Sequence, residues 1–151
     1  MIAPAFLDNL TLIAYAAGEW AMGGRMRYRD SNGVVHEAPQ YFVTDLASTP
    51  WIAKPLLGGI DDRRPGAMHD ALYCQNILPR EICDALLYEM LIVSGADKAR
   101  AWLMYSAVRM FGGPRYAACA GGMRVEDLAF ELMGEPERAA WRGRLAPNSL
   151  A

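Results

Sequence analysis

The spacing of apolar residues changes near residue 48, and that change most restricts what the chain can fold into. Before it, short segments alternate in character: "LTLIAYA" (10–16), "RMRYR" (25–29), "VVHEA" (34–38) and "YFVTD" (41–45). Alternation with β-branched and aromatic residues marks half-buried strands. "DSNG" at residues 30–33 supplies the Asn-Gly pair that a tight hairpin turn uses. Three or four short antiparallel strands are expected, curled into one small sheet at an edge of the domain.

After residue 48 the apolar residues recur at three and four, and Pro and Gly fall at segment ends, as in helices. Ser48 or Thr49 can cap a helix over 50–57 with Pro50 in its first turn, stopped by Gly58 and Gly59. The spacing predicts further helices from Pro65 to Gln75 and from Pro79 to Val93, the second ended by Gly95. "DKARAWLMYSAVRMF" (97–111) starts at an Asp cap and stops at Gly112, Gly113 and Pro114, and two shorter helices are expected over 123–133 and 136–144. The expectation is α+β: a strand-rich part (8–45) packed on a helical part (48–145) of about five to six helices, as a single domain over 1–151. A chain of 151 residues with 53% hydrophobic content can bury one real core.

Fifteen basic residues against seventeen acidic ones leave a net charge of −2, with no long run of either sign. That argues against a dedicated nucleic-acid binder. The N-terminus lacks a basic region and meets Asp8 early, unlike a secretory signal, and no window reaches the roughly 18 apolar residues of a membrane span. A soluble, unprocessed protein is expected. Three cysteines, Cys74, Cys83 and Cys119, suit a reducing compartment and are expected as buried thiols rather than a disulfide framework.

Chemistry concentrates in "GAMHDALYCQNILPREICDALLYEM" (66–90), which holds one of the two histidines. On a helix His69 and Tyr73 share a face, whereas Asp70 is turned by about 100° from His69. His69 can then face a reacting water while Asp70 faces a cation or a loop. An imidazole acting as general base needs its other ring nitrogen held by an acceptor. Asp84 suits that role, one helix later and returning antiparallel. The competing reading is a buried polar cluster in which His69, Asp84, Tyr73 and Asp45 satisfy one another. Asp45, Ser48 and Thr49 sit at a strand-to-helix junction, where a hydroxyl or carboxylate caps free amides and the helix N-terminus favours an anion, so they are candidate binding residues. Alternatively, Ser48 only caps the helix and Asp45 pairs with an arginine such as Arg80.

"HDALY" followed by an aspartate one helix later resembles the phospholipase A2 group, including the short forms carried by viral capsid proteins. The resemblance implies His69 as the base that activates water, Asp70 as a calcium ligand, and Tyr73 with Asp84 as the supporting pair. "LLGGIDDRRPGAMHD" places Gly58 and Gly59 upstream, where that group uses backbone carbonyls on calcium. Arg63 or Arg64 can instead neutralise Asp70, and then no metal is required.

A second resemblance covers most of residues 10 to 113. The order "FVTDLASTPW", "AMHDALY", "REICDALLYEML", "MYSAVRMFGG" resembles a phage- and prophage-borne domain of unknown function, number 1353. It implies phage origin, expression in the host bacterial cytoplasm with incorporation into the virion, and other particle proteins as partners. A virion or tail component without catalysis is then the alternative to a hydrolase acting on membrane lipid or cell envelope.

Two further readings come from residue types. A metal-dependent phosphohydrolase of the His-Asp type needs a first His, a His-Asp pair and a distant Asp, which His36, His69-Asp70 and Asp127 offer in order. His36 falls in a strand, however, and those enzymes are helical. A serine hydrolase lacks its G-x-S-x-G elbow, and a cysteine hydrolase would have to recruit Cys74 or Cys83. Trp102, Met104, Tyr105, Val108 and Met110 read as helix core.

Overall fold

A computed structural model of the chain describes residues 2–46 and 62–145. Six short strands come first: β1 (Ala5–Phe6), β2 (Leu12–Ala16), β3 (Glu19–Met22), β4 (Met26–Arg29), β5 (Val35–Ala38) and β6 (Val43–Thr44). The helices follow as α1 (Arg64–Gln75), α2 (Arg80–Val93), α3 (Lys98–Phe111), α4 (Gly113–Ala118) and α5 (Glu135–Arg142). The α+β expectation holds, strands before helices.

The strands make two antiparallel sheets of three, ordered β1-β4-β5 and β2-β3-β6, where one sheet was expected. β3 was missed because "EWAM" is short and opens on a glutamate, which is poor in strands. Its partners supply the reason it forms: Leu12 faces Met22 on one side, and Trp20 faces Thr44 on the other. The "DSNG" turn joins β4 to β5 as expected. Asp30 Oδ1 accepts from the Asn32 and Val34 amides, and Gly33 takes a φ of 84° that a side chain would resist.

α1 is the central helix, with Pro65 and Ala67 through Cys74 all buried. A helix covered on nearly every side carries its polar residues into the interior whatever their order, which is how His69 and Asp70 come to lie inside. Pro65 sits in the first turn, where its missing amide costs nothing, and Asn76 ends the helix in the left-handed conformation. The Gln75 amide donates to the Glu37 carbonyl at 2.6 Å and fixes this end on β5. Tyr28, fully buried on β4, donates to Glu89 of α2 at 2.7 Å and ties sheet to helix.

The expected helices 65–75, 79–93, 97–111 and 136–144 are found within a residue or two at each end. Two expectations are corrected. Residues 123–133 form two single 3-10 turns, Val125–Asp127 and Phe130–Leu132, because the segment pairs back on the sheet: the Ala129 amide donates to the Tyr41 carbonyl at 2.8 Å. α3 ends at Phe111 with Gly112 as its cap, as expected, and a further short helix, α4, begins at Gly113 with Pro114 in its first turn. On α3 only Met104 and Val108 of the expected stripe are core, packed with Ala101 at helical spacing, while Trp102 and Met110 are 59% and 73% exposed. The helix expected over 50–57 lies outside the described residues.

Candidate active site around His69

Four elements deliver the side chains. α1 presents His69, Asp70 and Tyr73; α2 presents Asp84; the last turn of α3 presents Arg109; and β6 presents Thr44. α1 and α2 lie antiparallel across the short connection Asn76–Pro79, so Asp84 comes level with His69 as expected.

His69 Nε2 lies 2.8 Å from Asp84 Oδ1, and the Tyr73 hydroxyl donates to the same oxygen at 2.5 Å. Arg109 Nη1 donates to the other oxygen, Oδ2, at 2.8 Å. Arg80 Nε stands 3.7 Å from that oxygen, while its Nη2 donates to the Arg109 carbonyl at 2.6 Å. Asp84 is fully buried and His69, Asp70 and Tyr73 nearly so. Burial pushes the Asp84 carboxyl up, but the hydrogen bonds from His69, Tyr73 and Arg109 together outweigh it and hold it below its ordinary value. Burial, joined by the bond to Asp84, pushes the Tyr73 phenol well above its usual range, so it stays a donor. An ionised Asp84 calls for a donor at Nε2, and in the neutral imidazole that places the lone pair on Nδ1. The rings of His69 and Tyr73 also touch at a tilt of 47°, centroids 4.2 Å apart.

Two glycines leave room where the chain turns behind this cluster. A Cβ on Gly112 would sit 2.8 Å from the Tyr73 hydroxyl and 2.6 Å from the Val108 carbonyl, and one on Gly113 would sit 2.6 Å from Arg80 Nη1. Gly112 and Gly113 thus allow Tyr73 and Arg80 to close around Asp84.

Asp70 points away from His69, as its position on the helix requires. Its Oδ2 accepts from the Thr44 hydroxyl at 2.9 Å. Thr44 was not singled out from the sequence, although alternation in "YFVTD" turns Phe42 and Thr44 inward and Asp45 outward. Asp45 is exposed accordingly. Arg64 is held by Asp62, Nη2 to Oδ2 at 2.7 Å, and lies over the Phe6 ring rather than on Asp70. Arg80, expected for Asp45, belongs to the Asp84 cluster. Ser48, Thr49, Gly58 and Gly59 lie outside the described residues.

His69, Asp70, Asp62, Arg63 and Gly66 line a cavity of about 30 Å³ together with Leu87, Leu91, Met104 and Val108. That is room for one or two waters. The metal-phosphohydrolase set is not brought together: His36 Nε2 is tied to Asp30 at 2.9 Å and Asp127 faces Cys74. Among the described residues no group of three His, Cys, Asp or Glu side chains is placed to hold a metal.

The family model described as "Protein of unknown function (DUF1353)" matches residues 20–108. The chain belongs to this family. The matched segment runs from β3 through most of α3 and so contains His69, Tyr73, Asp84, Asp70 and Thr44, while Arg109 falls one residue beyond it. The chain is also similar to "Uncharacterized protein y4iH" of Sinorhizobium fredii (strain NBRC 101917 / NGR234), 30% identical over 123 residues. That match covers 72% of this chain and 51% of the relative, so the chain spans about half the length of the curated relative it matches. No solved structure matches. No helix among the described residues is long and apolar enough to cross a membrane.

Proposed function

We propose that this DUF1353 protein is a hydrolase of an ester or related bond in which His69 is the general base. The observation that carries this reading is the 2.8 Å contact between His69 Nε2 and Asp84 Oδ1 beside a cavity that His69 itself lines. Asp84 accepts the Nε2–H hydrogen bond and leaves Nδ1 to accept a proton from water. That water attacks the carbonyl carbon, and the imidazolium, stabilised by Asp84, returns its proton to the leaving oxygen. Tyr73 and Arg109 hold Asp84 in place and do not touch the reacting atoms. Arg63, on the cavity wall, is a cation available to the developing oxyanion.

The resemblance to phospholipase A2 adds calcium on Asp70 with carbonyls of Gly58 and Gly59. Among the described residues the set reduces to Asp70 and the Thr44 hydroxyl, short of the six to eight oxygens calcium takes. No step is therefore routed through the ion. The same resemblance, with that to the phage- and prophage-borne domain, supports a phage protein acting on membrane lipid or cell envelope.

A second reading is favoured by the depth of burial. His69 is 6% exposed, Asp84 is fully buried and Arg109 already neutralises it, as in a polar cluster that fixes helix packing. The protein is then a virion component that binds other particle proteins through exposed apolar residues such as Trp102 and Met110.

Short-chain and long-chain ester substrates, each with calcium and with a chelator, separate these readings. Hydrolysis by the wild type that His69→Ala abolishes supports the enzyme, and calcium dependence removed by Asp70→Asn adds the metal. No turnover of any ester supports the structural cluster.

A further inference from the structure

The thiols of Cys74 and Cys119 lie 3.5 Å apart, joining the last turn of α1 to the turn that follows α4. Nothing in their spacing of 45 residues announces this, and the hydrolytic reading makes no use of it. Arg115 Nη2 donates to Cys74 Sγ at 3.3 Å, and Cys74 Sγ stands 3.7 Å from Asp127 Oδ1. Two sulfurs in contact, with a guanidinium against one and a carboxylate able to take a proton beside it, form a built dithiol rather than a chance packing of small side chains. Cys83 is the internal contrast: its thiol faces the Leu78 carbonyl at 3.8 Å.

We propose that Cys74 and Cys119 are a peroxide-reactive dithiol that closes to an intramolecular disulfide. The Cys119 thiolate attacks one peroxide oxygen, the O–O bond breaks, and Cys119 becomes a sulfenic acid as the peroxide leaves as water or alcohol. Cys74 then attacks the Cys119 sulfur and expels hydroxide, which leaves as water with the Cys74 proton. Two thiols are oxidised by two electrons and one peroxide is reduced.

Cys119 is the better first nucleophile because it is slightly exposed, whereas Cys74 is fully buried. The hydrogen bond between the thiols, aided by Arg115, brings Cys119 down to about 7 and pushes Cys74 up, so the pair gives up one proton readily and holds the second. Closing the sulfurs to a bond needs an approach of about 1.5 Å. Cys119 lies in a turn running into Gly121 and Gly122, both at positive φ, rather than inside a helix, so the turn can supply that shift without disturbing α1.

The test is intact-mass and peptide mapping of the full chain after one equivalent of hydrogen peroxide, with far-UV circular dichroism recorded alongside. The expected result is a loss of about 2 Da, a Cys74–Cys119 cross-linked peptide and Cys83 still free to alkylate. Melting should rise by about 5 °C or more, reversed by dithiothreitol, because the bond closes a long loop. In Cys74→Ser the Cys119 sulfenic acid should persist and be trapped by dimedone. Three results would overturn the proposal: no mass loss in folded wild type, a cross-link through Cys83, or oxygen adducts without a disulfide. The wild-type mass alone decides the matter if the serine variant does not fold.

Discussion

Arg109 and His69 bind opposite oxygens of the Asp84 carboxylate, each at 2.8 Å. One buried anion on α2 therefore serves three partners from two other helices, His69 and Tyr73 of α1 and Arg109 of α3. Removing it leaves the Tyr73 hydroxyl without its acceptor and Arg109 with only Glu81, at 3.4 Å.

Asp84→Ala should therefore cost about 3 kcal/mol, the lower end for a broken buried pair, because the Arg109 side chain keeps 28% of its exposure and can rehydrate. Urea unfolding of Asp84→Ala, Arg109→Ala and the double variant checks this. The two losses should be non-additive by at least about 0.5 kcal/mol. Additive losses would mean that the pair contributes no mutual stabilisation.

Acid should unfold the protein through its depressed carboxylates. Asp84, Asp30 and Asp62 are each held below their ordinary value: burial opposes this in all three, but hydrogen bonds from His69, Tyr73 and Arg109, from His36 and backbone amides, and from Arg64 and Ser94 prevail. A lowered folded-state pKa contributes stability that is fully present above the unfolded value, about 3.9, and is lost as pH falls through the folded value. Urea midpoints should stay level down to about pH 5 and then drop, and Asp84→Asn should flatten part of that drop.

Gly112→Ala should destabilise by about 1–3 kcal/mol, because its Cβ meets the Val108 carbonyl and a Tyr73 hydroxyl pinned on Asp84. Gly113→Ala meets only the far end of Arg80, which can swing away, so thermal melting should show the smaller loss there. Equal losses would show that Tyr73 is not held as described.

Nitrogen-15 NMR of the imidazole should find the His69 proton on Nε2 and the lone pair on Nδ1, since Asp84 Oδ1 faces Nε2. In Asp84→Asn this preference should weaken. A proton resident on Nδ1 in the wild type would leave no lone pair opposite Asp84 for a general base.

Local signals made most of the fold legible. The helix at 65–75 carries its Pro start, the 97–111 helix its Asp cap and the β4–β5 hairpin its Asn-Gly turn, all readable without tertiary context. β3 and the 3-10 turns were not legible, because their conformation follows from pairing partners far along the chain. The site divides in the same way. His69, Tyr73 and Asp84 fall within 15 residues on two adjacent helices, so helical geometry alone joins them. Arg109 reaches Asp84 across 25 residues and Thr44 reaches Asp70 across 26, and no pattern within either segment points to its partner.

The rate of ester hydrolysis by His69→Gln, set beside its melting temperature, tests the central claim most directly. The account predicts a rate lower by about 10²-fold or more, the range for loss of a positioned general base, in a protein that still melts cooperatively within a few degrees of wild type. An unchanged rate, or a variant that loses its fold before any activity can be compared, would contradict a catalytic His69 and leave the cluster as a packing device.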